Sequence, residues 1–137
     1  MAISLKILLL LSGLGILNTI YLSYHAIRGT MVACLFFPPE WCEKVQKSEY
    51  SKTFGVPNPY LGLLMLTSIF ILTWMHIAGV VPFWIIAAII AGGFMFSVYF
   101  LYIQAVILKA YCTWCVVSFV VFLLLFIVAM KIQFPLF

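Results

Sequence analysis

The sequence predicts an all-α membrane protein, a bundle of four transmembrane helices capped by its long first loop, and three observations carry that expectation. Of 137 residues, 67% are hydrophobic and only 7% are charged, which is more apolar surface than a soluble chain of this length buries. A spanning helix needs about 20 mostly apolar residues. Four stretches reach that length, Ala2 to Ile27, Tyr60 to Val81, Pro82 to Leu108 and Cys112 to Met130. All three acidic residues, Glu40, Glu43 and Glu49, fall in the one long polar stretch, Arg28 to Pro59, between the first two spans. Nothing remains for a second domain, so residues 1–137 are expected to form a single transmembrane domain.

The first span opens with Lys6 and the apolar run Ile7 to Leu17, a pattern that a signal peptide shares. The run continues to Leu22, and it is therefore read as a span. In the loop that follows, Met31-Val32-Ala33-Cys34-Leu35-Phe36-Phe37 is too apolar to be solvated and is expected to rest on the membrane surface or cap the bundle. Pro38-Pro39-Glu40 reads as a helix start. A short amphipathic helix to about Ser48 then places Trp41, Cys42 and Val45 toward one side.

Gly55-Val56-Pro57-Asn58-Pro59 cannot continue a helix and returns the chain to the membrane. The second and third spans meet near Gly79-Val80-Val81-Pro82, and the third and fourth are joined by Lys109-Ala110-Tyr111. Such short connections make antiparallel neighbours. Four antiparallel spans put the first loop and the Lys109 connection at one membrane face and both termini at the other. The four cysteines, Cys34, Cys42, Cys112 and Cys115, are thereby gathered at one face.

Charge excludes some functions. The net charge of +4 rests on seven scattered basic residues, a membrane-flanking pattern and not a nucleic-acid surface. Arg28, Lys44, Lys47, Lys52 and Lys109 stand on the cysteine side, against Lys6 and Lys131 on the other. Taken literally, that distribution puts the cysteines in the cytoplasm. Basic residues in an ordered amphipathic loop are poor topology signals, however, and disulfide chemistry favours an oxidising compartment. The expectation is therefore a multi-pass plasma-membrane protein with its cysteines on the extracytoplasmic face. The spans contain no Asp or Glu, which disfavours proton-coupled transport. A small multidrug transporter of similar length needs a carboxylate in its first span, where this chain offers only Asn18.

Cys112-Thr113-Trp114-Cys115 is a C-x-x-C at the start of the fourth span, where unpaired backbone amides and the helix dipole favour a thiolate. The i, i+3 spacing sets both sulfurs on one helical face, within reach of a reversible disulfide. Cys34 and Cys42 supply a second pair, and two pairs suggest a relay. The useful pairings are Cys34-Cys42 with Cys112-Cys115, and a crossed Cys42-Cys112 intermediate. Two permanent structural disulfides are the plain alternative. A zinc or iron site is disfavoured, because the loop lacks a second C-x-x-C, and no metal is expected.

An electron acceptor such as a quinone needs a flat apolar slot near Cys115 with one or two polar groups for its carbonyl oxygens. Asn58, Tyr99, Tyr102 and Gln104 are the candidates, along with Phe119, four residues after Cys115. Asn58 is the best placed, since it enters the second span on the cysteine face. His25 lies near the cysteines as a candidate proton carrier, and His76 reads as interfacial. Gly13, Gly15, Gly92 and Gly93 are read as sites of close helix contact.

The residues resemble the vitamin K epoxide reductase family, especially its small prokaryotic members. The resemblance rests on Cys34 and Cys42, then Val45, Ser48 and Tyr50, then Gly55-Val56-Pro57-Asn58 and Gly62, and finally Tyr102, Gln104 and Cys112-Thr113-Trp114-Cys115. It implies a four-helix bundle around a quinone of the menaquinone, ubiquinone or vitamin K type. In that scheme Cys115 contacts the quinone, Cys112 exchanges with Cys42, and Cys34 meets a thioredoxin-like or DsbA-like partner. Ser48 would stabilise the loop and Asn58 would hydrogen-bond a quinone carbonyl. Phe119 stands where vertebrate members carry a tyrosine. Some bacterial members carry a fused thioredoxin-like domain; none is seen in this sequence, so a separate partner is expected. A DsbB-type enzyme shares the chemistry, but its C-x-x-C lies in the first loop, whereas here it opens the fourth span.

Overall fold

A computed structural model of the chain describes residues 2–28, 40, 41, 44, 52, 53, 56–110 and 113–133. Four long helices dominate it: α1 (Ala2–Arg28), α2 (Asn58–Ile77), α3 (Phe83–Tyr102) and α4 (Thr113–Gln133). All four are long and apolar enough to cross a membrane, the third with its continuation to Leu108. Before α2, the two-residue strands β1 (Lys52–Thr53) and β2 (Val56–Pro57) pair antiparallel, with Lys52 opposite Pro57 and Thr53 opposite Val56. Glu40, Trp41 and Lys44 are helical, in line with the helix start expected at Pro38-Pro39-Glu40.

The sequence expectation placed Asn58 and Pro59 before the second span, but both lie inside the first turn of α2. Proline is accepted there because amides in a first turn have no helical partner to lose. At the other end of α2 the chain reverses through a Schellman cap. The Gly79 amide donates to the His76 carbonyl and the Val80 amide to the Met75 carbonyl, each at 2.9 Å. Gly79 takes φ +79, a left-handed setting that a side chain would strain. The His76 Nδ1–H donates to the Val81 carbonyl at 2.9 Å, and its ring packs against Phe83. His76 thus closes the turn at the face opposite the C-x-x-C.

The helices form a square. α1 packs along α2 and α4, and α3 completes the ring against the same two. The outward faces carry large apolar residues such as Leu10, Leu14, Leu17 and Met95, as a bilayer-facing surface requires. Exposed Trp74 and Trp84 flank the turn between α2 and α3, while exposed Tyr24, Tyr99 and Tyr102 lie toward the opposite end. Together they make two aromatic belts at the levels expected of the two interfaces.

Several side-chain hydroxyls are satisfied within their own helices, as the membrane favours, although the buried Ser23 Oγ has no partner among the described residues. Ser12 donates to the Leu8 carbonyl, Thr73 to that of Ile69 and Ser97 to that of Gly93.

Two buried clusters hold the square together. The larger runs through the half nearer the termini, around Leu8, Leu66, Ile69, Ile86, Ile90 and Leu125. The smaller one, Leu22, Ile103, Leu108 and Ala110, closes the other end.

Close approach depends on some of the expected glycines and not on others. A Cβ on Gly15 would stand 2.9 Å from Leu66 Cδ1 and 3.1 Å from Val121 Cγ1, so α1 meets α2 and α4 at that point. A Cβ on Gly93 would collide with the Phe122 ring, whereas Gly13 and Gly92 have nothing within 4 Å. Gly15→Ala is therefore expected to destabilise the bundle by about 1 to 3 kcal/mol, since Leu66 and Val121 are both buried and have nowhere to move. Gly13→Ala on the same helix should be neutral or stabilising by up to roughly 1 kcal/mol. Thermal unfolding of the two variants in detergent compares them directly.

Candidate functional site

Between the two clusters the packing opens into a cavity of about 360 Å³. All four helices line it, with Leu22 and Thr19 from α1, Leu61 to Met65 in part from α2, and Gly92, Gly93, Phe96 and Phe100 from α3. Cys115, Ser118 and Phe122 come from α4. At a rise of about 1.5 Å per residue, Cys115 and Phe122 are separated by roughly 10 Å along α4. The site thus runs inward from the first turn of that helix, between the sulfur and the aromatic floor.

The walls are mainly aliphatic and aromatic. Polar groups come from Thr19, Asn58, Ser97, Gln104, Ser118 and the Cys115 thiol. Thr19 and Ser97 donate their protons to carbonyls of their own helices, so toward the cavity they offer acceptor oxygens. Asn58 and Gln104 bring carboxamides, which both donate and accept. The cavity falls within the range of about 300 to 1,000 Å³ usual for small-molecule sites.

One side faces the bilayer. Leu64 of α2 lines the cavity yet is 65% exposed, and Gly92 opposite it on α3 is also exposed and would leave open space around a Cβ. The gap between α2 and α3 at this level leads to lipid and not to water.

Local backbone geometry positions Gln104 and Cys115. After Tyr102, α3 widens into a π-helical segment, Ile103–Leu108, in which Ile103, Gln104 and Leu108 are buried. The segment ends at Lys109 in the left-handed region, with φ 55 and ψ 37. Its amide and that of Ala110 both converge on the Gln104 carbonyl. This closing turn lets the chain reverse into α4 within a few residues, while the Gln104 side chain, 1% exposed, stays in the cavity wall. Segments of this kind recur at functional sites.

Cys115 is half-buried in the first turn of α4, packed with Trp114 against the Leu22-Ile103-Leu108-Ala110 cluster. Trp41 from the first loop packs on the same cluster, and the Tyr21 ring lies 4.7 Å from that of Trp114. His25 stacks edge-on against Tyr21 at 4.5 Å, and the Arg28 guanidinium sits over Tyr24 at 5.4 Å. These residues roof the Cys115 end of the bundle. Of the first loop, Trp41 takes part in this roof, while Met31 to Phe37, the segment expected to cap the bundle, lies outside the described residues.

Of the site residues read from sequence, Cys115 and Asn58 line one cavity, and so does Gln104. Phe119 does not line it; its ring stacks on Phe94 at 6.2 Å, one helix over. Tyr102 does not either, being 55% exposed in the aromatic belt. Cys34, Cys42, Ser48 and Cys112 lie outside the described residues.

Sequence reasoning passed over Asn18, read only as the absence of a carboxylate. Its Nδ2 donates to Ser118 Oγ at 2.6 Å and to the Trp114 carbonyl at 3.2 Å, joining α1 to the turn that carries Cys115. A lone carboxamide inside an apolar span was the available signal.

The sequence profile of the vitamin K epoxide reductase family matches residues 6–130, which includes all four helices almost end to end. Among curated proteins, none matches the chain.

Proposed function

The chain belongs to the vitamin K epoxide reductase family, and from that membership, which makes it a membrane oxidoreductase, we propose that it passes electrons from a protein dithiol to a membrane quinone. The observation that carries this reading is that Cys115, the second cysteine of the C-x-x-C, lines an apolar cavity that also holds Asn58 and Gln104 and opens toward lipid. A bound quinone supplies an acceptor for the two electrons and two protons given up when Cys112 and Cys115 close to a disulfide. Asn58 and Gln104 would hold its carbonyl oxygens as donors, and Phe96, Phe100 and Leu61 would flank its ring. A polyprenyl tail would leave between Leu64 and Gly92, which line the cavity and are exposed toward lipid.

The dithiol side runs by exchange. A thiolate of a thioredoxin-like or DsbA-like partner attacks Cys34 of the Cys34-Cys42 disulfide and releases the Cys42 thiolate; the partner's second thiolate then frees Cys34 and leaves the partner oxidised. Cys42 attacks Cys112 of the Cys112-Cys115 disulfide and releases Cys115. Cys34 then resolves the Cys42-Cys112 bond, so two electrons have moved to the C-x-x-C pair and none are lost. Trp41, the residue before Cys42, packs on the cluster that also seats Trp114 and Cys115, which supports transfer at this end of the bundle. Each roughly 30 mV between successive pairs changes their equilibrium tenfold. Ser48 is assigned to stabilising the loop. The cysteine end is assigned to the extracytoplasmic face of the plasma membrane, and residues 1–137 to one functional domain.

Relay order is tested by trapping. With Cys115→Ala and Cys34→Ser together, Cys112 loses its partner and Cys42 its resolving thiol, so a Cys42-Cys112 disulfide is expected to accumulate under mild oxidation. Peptide mapping without reductant detects it. Recovery of Cys42 and Cys112 only as separate thiols would contradict the relay.

A further inference from the structure

Asn18 lies in the middle of α1, 7% exposed, and its carboxamide is oriented by chemistry as well as by fit. The Trp114 carbonyl can only accept, so the group facing it at 3.2 Å must be the NH2. The same NH2 reaches Ser118 Oγ at 2.6 Å, and Ser118 in turn donates to the Trp114 carbonyl at 3.2 Å. The Asn18 Oδ1 is buried and has no hydrogen-bond partner among the described residues. A buried acceptor left in that state is costly, and a leucine of similar volume would avoid the cost. The residue is thus a poor choice for stability and a specific choice for geometry.

What it fixes is the turn that bears the redox cysteine. The Trp114 carbonyl belongs to the same peptide unit as the Cys115 amide, and Ser118 lines the cavity one turn further on. A first helical turn lacks the full set of backbone bonds and frays readily. Here it is held from a second helix, on either side of Cys115.

We propose that Asn18 is a positioning residue, which clamps the first turn of α4 through Trp114 and Ser118 and so keeps the Cys115 thiol turned into the cavity and away from the aqueous face. This assignment rests on the quinone reading for its consequence, but not for its geometry. Reacting groups must be held close to the productive arrangement, and a displacement of about 1 Å can cost on the order of a hundredfold in rate.

The test uses the full chain with Cys34, Cys42 and Cys112 replaced by serine, so that Cys115 is the single thiol, with and without Asn18→Leu. A negatively charged, water-soluble methanethiosulfonate reagent reports escape of the thiol from the bundle. Asn18→Leu is expected to speed this reaction about fivefold or more, and Ser118→Ala, which removes one of the two ties, to speed it less. In the four-cysteine protein, Asn18→Leu is expected to lower kcat for menadione reduction about tenfold, with KM within about twofold. The thermal midpoint should be unchanged or higher. If Leu lowers the midpoint, Asn18→Ala decides by the same two readouts.

Equal modification rates with and without Asn18 overturn the proposal. So does a slower reaction in the variant. If the parent protein fails to reduce menadione, the quinone reading falls, while the modification rates still decide the role of Asn18.

Discussion

A Cys115→Ser protein is expected to reduce menadione at least about a thousandfold more slowly than the parent, with its thermal midpoint nearly unchanged. The size of the loss follows from the proposed role, because removing one thiol of the electron-donating dithiol leaves no second route. Stability should hardly move, since Cys115 is half-buried and serine differs from it by one atom. Initial rates under anaerobic conditions, with dithiothreitol as reductant and a no-protein blank subtracted, measure it. A residual rate within tenfold of the parent would remove Cys115 from the chemistry.

The second large effect is steric. Gly92 lines the cavity and a Cβ there meets nothing within 4 Å, so Gly92→Leu should fold normally while its side chain crowds the gap between α2 and α3 assigned to the quinone's polyprenyl tail. One methylene in excess in an apolar pocket is worth about 1 to 3 kcal/mol. Four added carbons should therefore raise the KM for a prenylated quinone by at least about a hundredfold, and that for tail-less menadione much less. Gly13→Leu is the matched control, because Gly13 also has open space around it but does not line the cavity. Its KM for the prenylated quinone should equal that of the parent. Loss of activity in both variants would point to general damage, and loss in neither would place the tail elsewhere.

The four spans were legible because each is a continuous apolar run bounded by turn residues. Antiparallel order followed from connections too short to permit anything else. Cys115 was legible from the C-x-x-C spacing and its place at a helix start, and Asn58 from its position where the chain re-enters the bundle.

Which residues face inward was much less legible, for a reason particular to membranes. Lipid and protein interior are both apolar, so a spanning helix need not carry the amphipathic stripe that marks the buried face of a soluble one. Gly92 and Gly93 are adjacent and alike in sequence, yet one faces open space and the other lies under the Phe122 ring. Phe119 was judged by its distance from Cys115 along α4, but four residues more than complete a turn, and its ring turns to Phe94. Tyr102 belongs to the interface, where its hydroxyl meets water while its ring stays with lipid. The π-helical segment that seats Gln104 has no distinctive residue pattern, and nothing in Ile103–Leu108 foretold it.

In the proposed reaction, electrons leave the protein at Cys115 for a quinone in the cavity beside it. A Cys34→Ser, Cys42→Ser protein that is fully reduced, anaerobic and held in detergent isolates this step. On mixing with one equivalent of menadione, a single turnover is expected: the quinone absorbance bleaches while Cys112 and Cys115 close to a disulfide, one for each quinone reduced. Menadione left unreduced, or reduced while both thiols remain alkylatable, would contradict it.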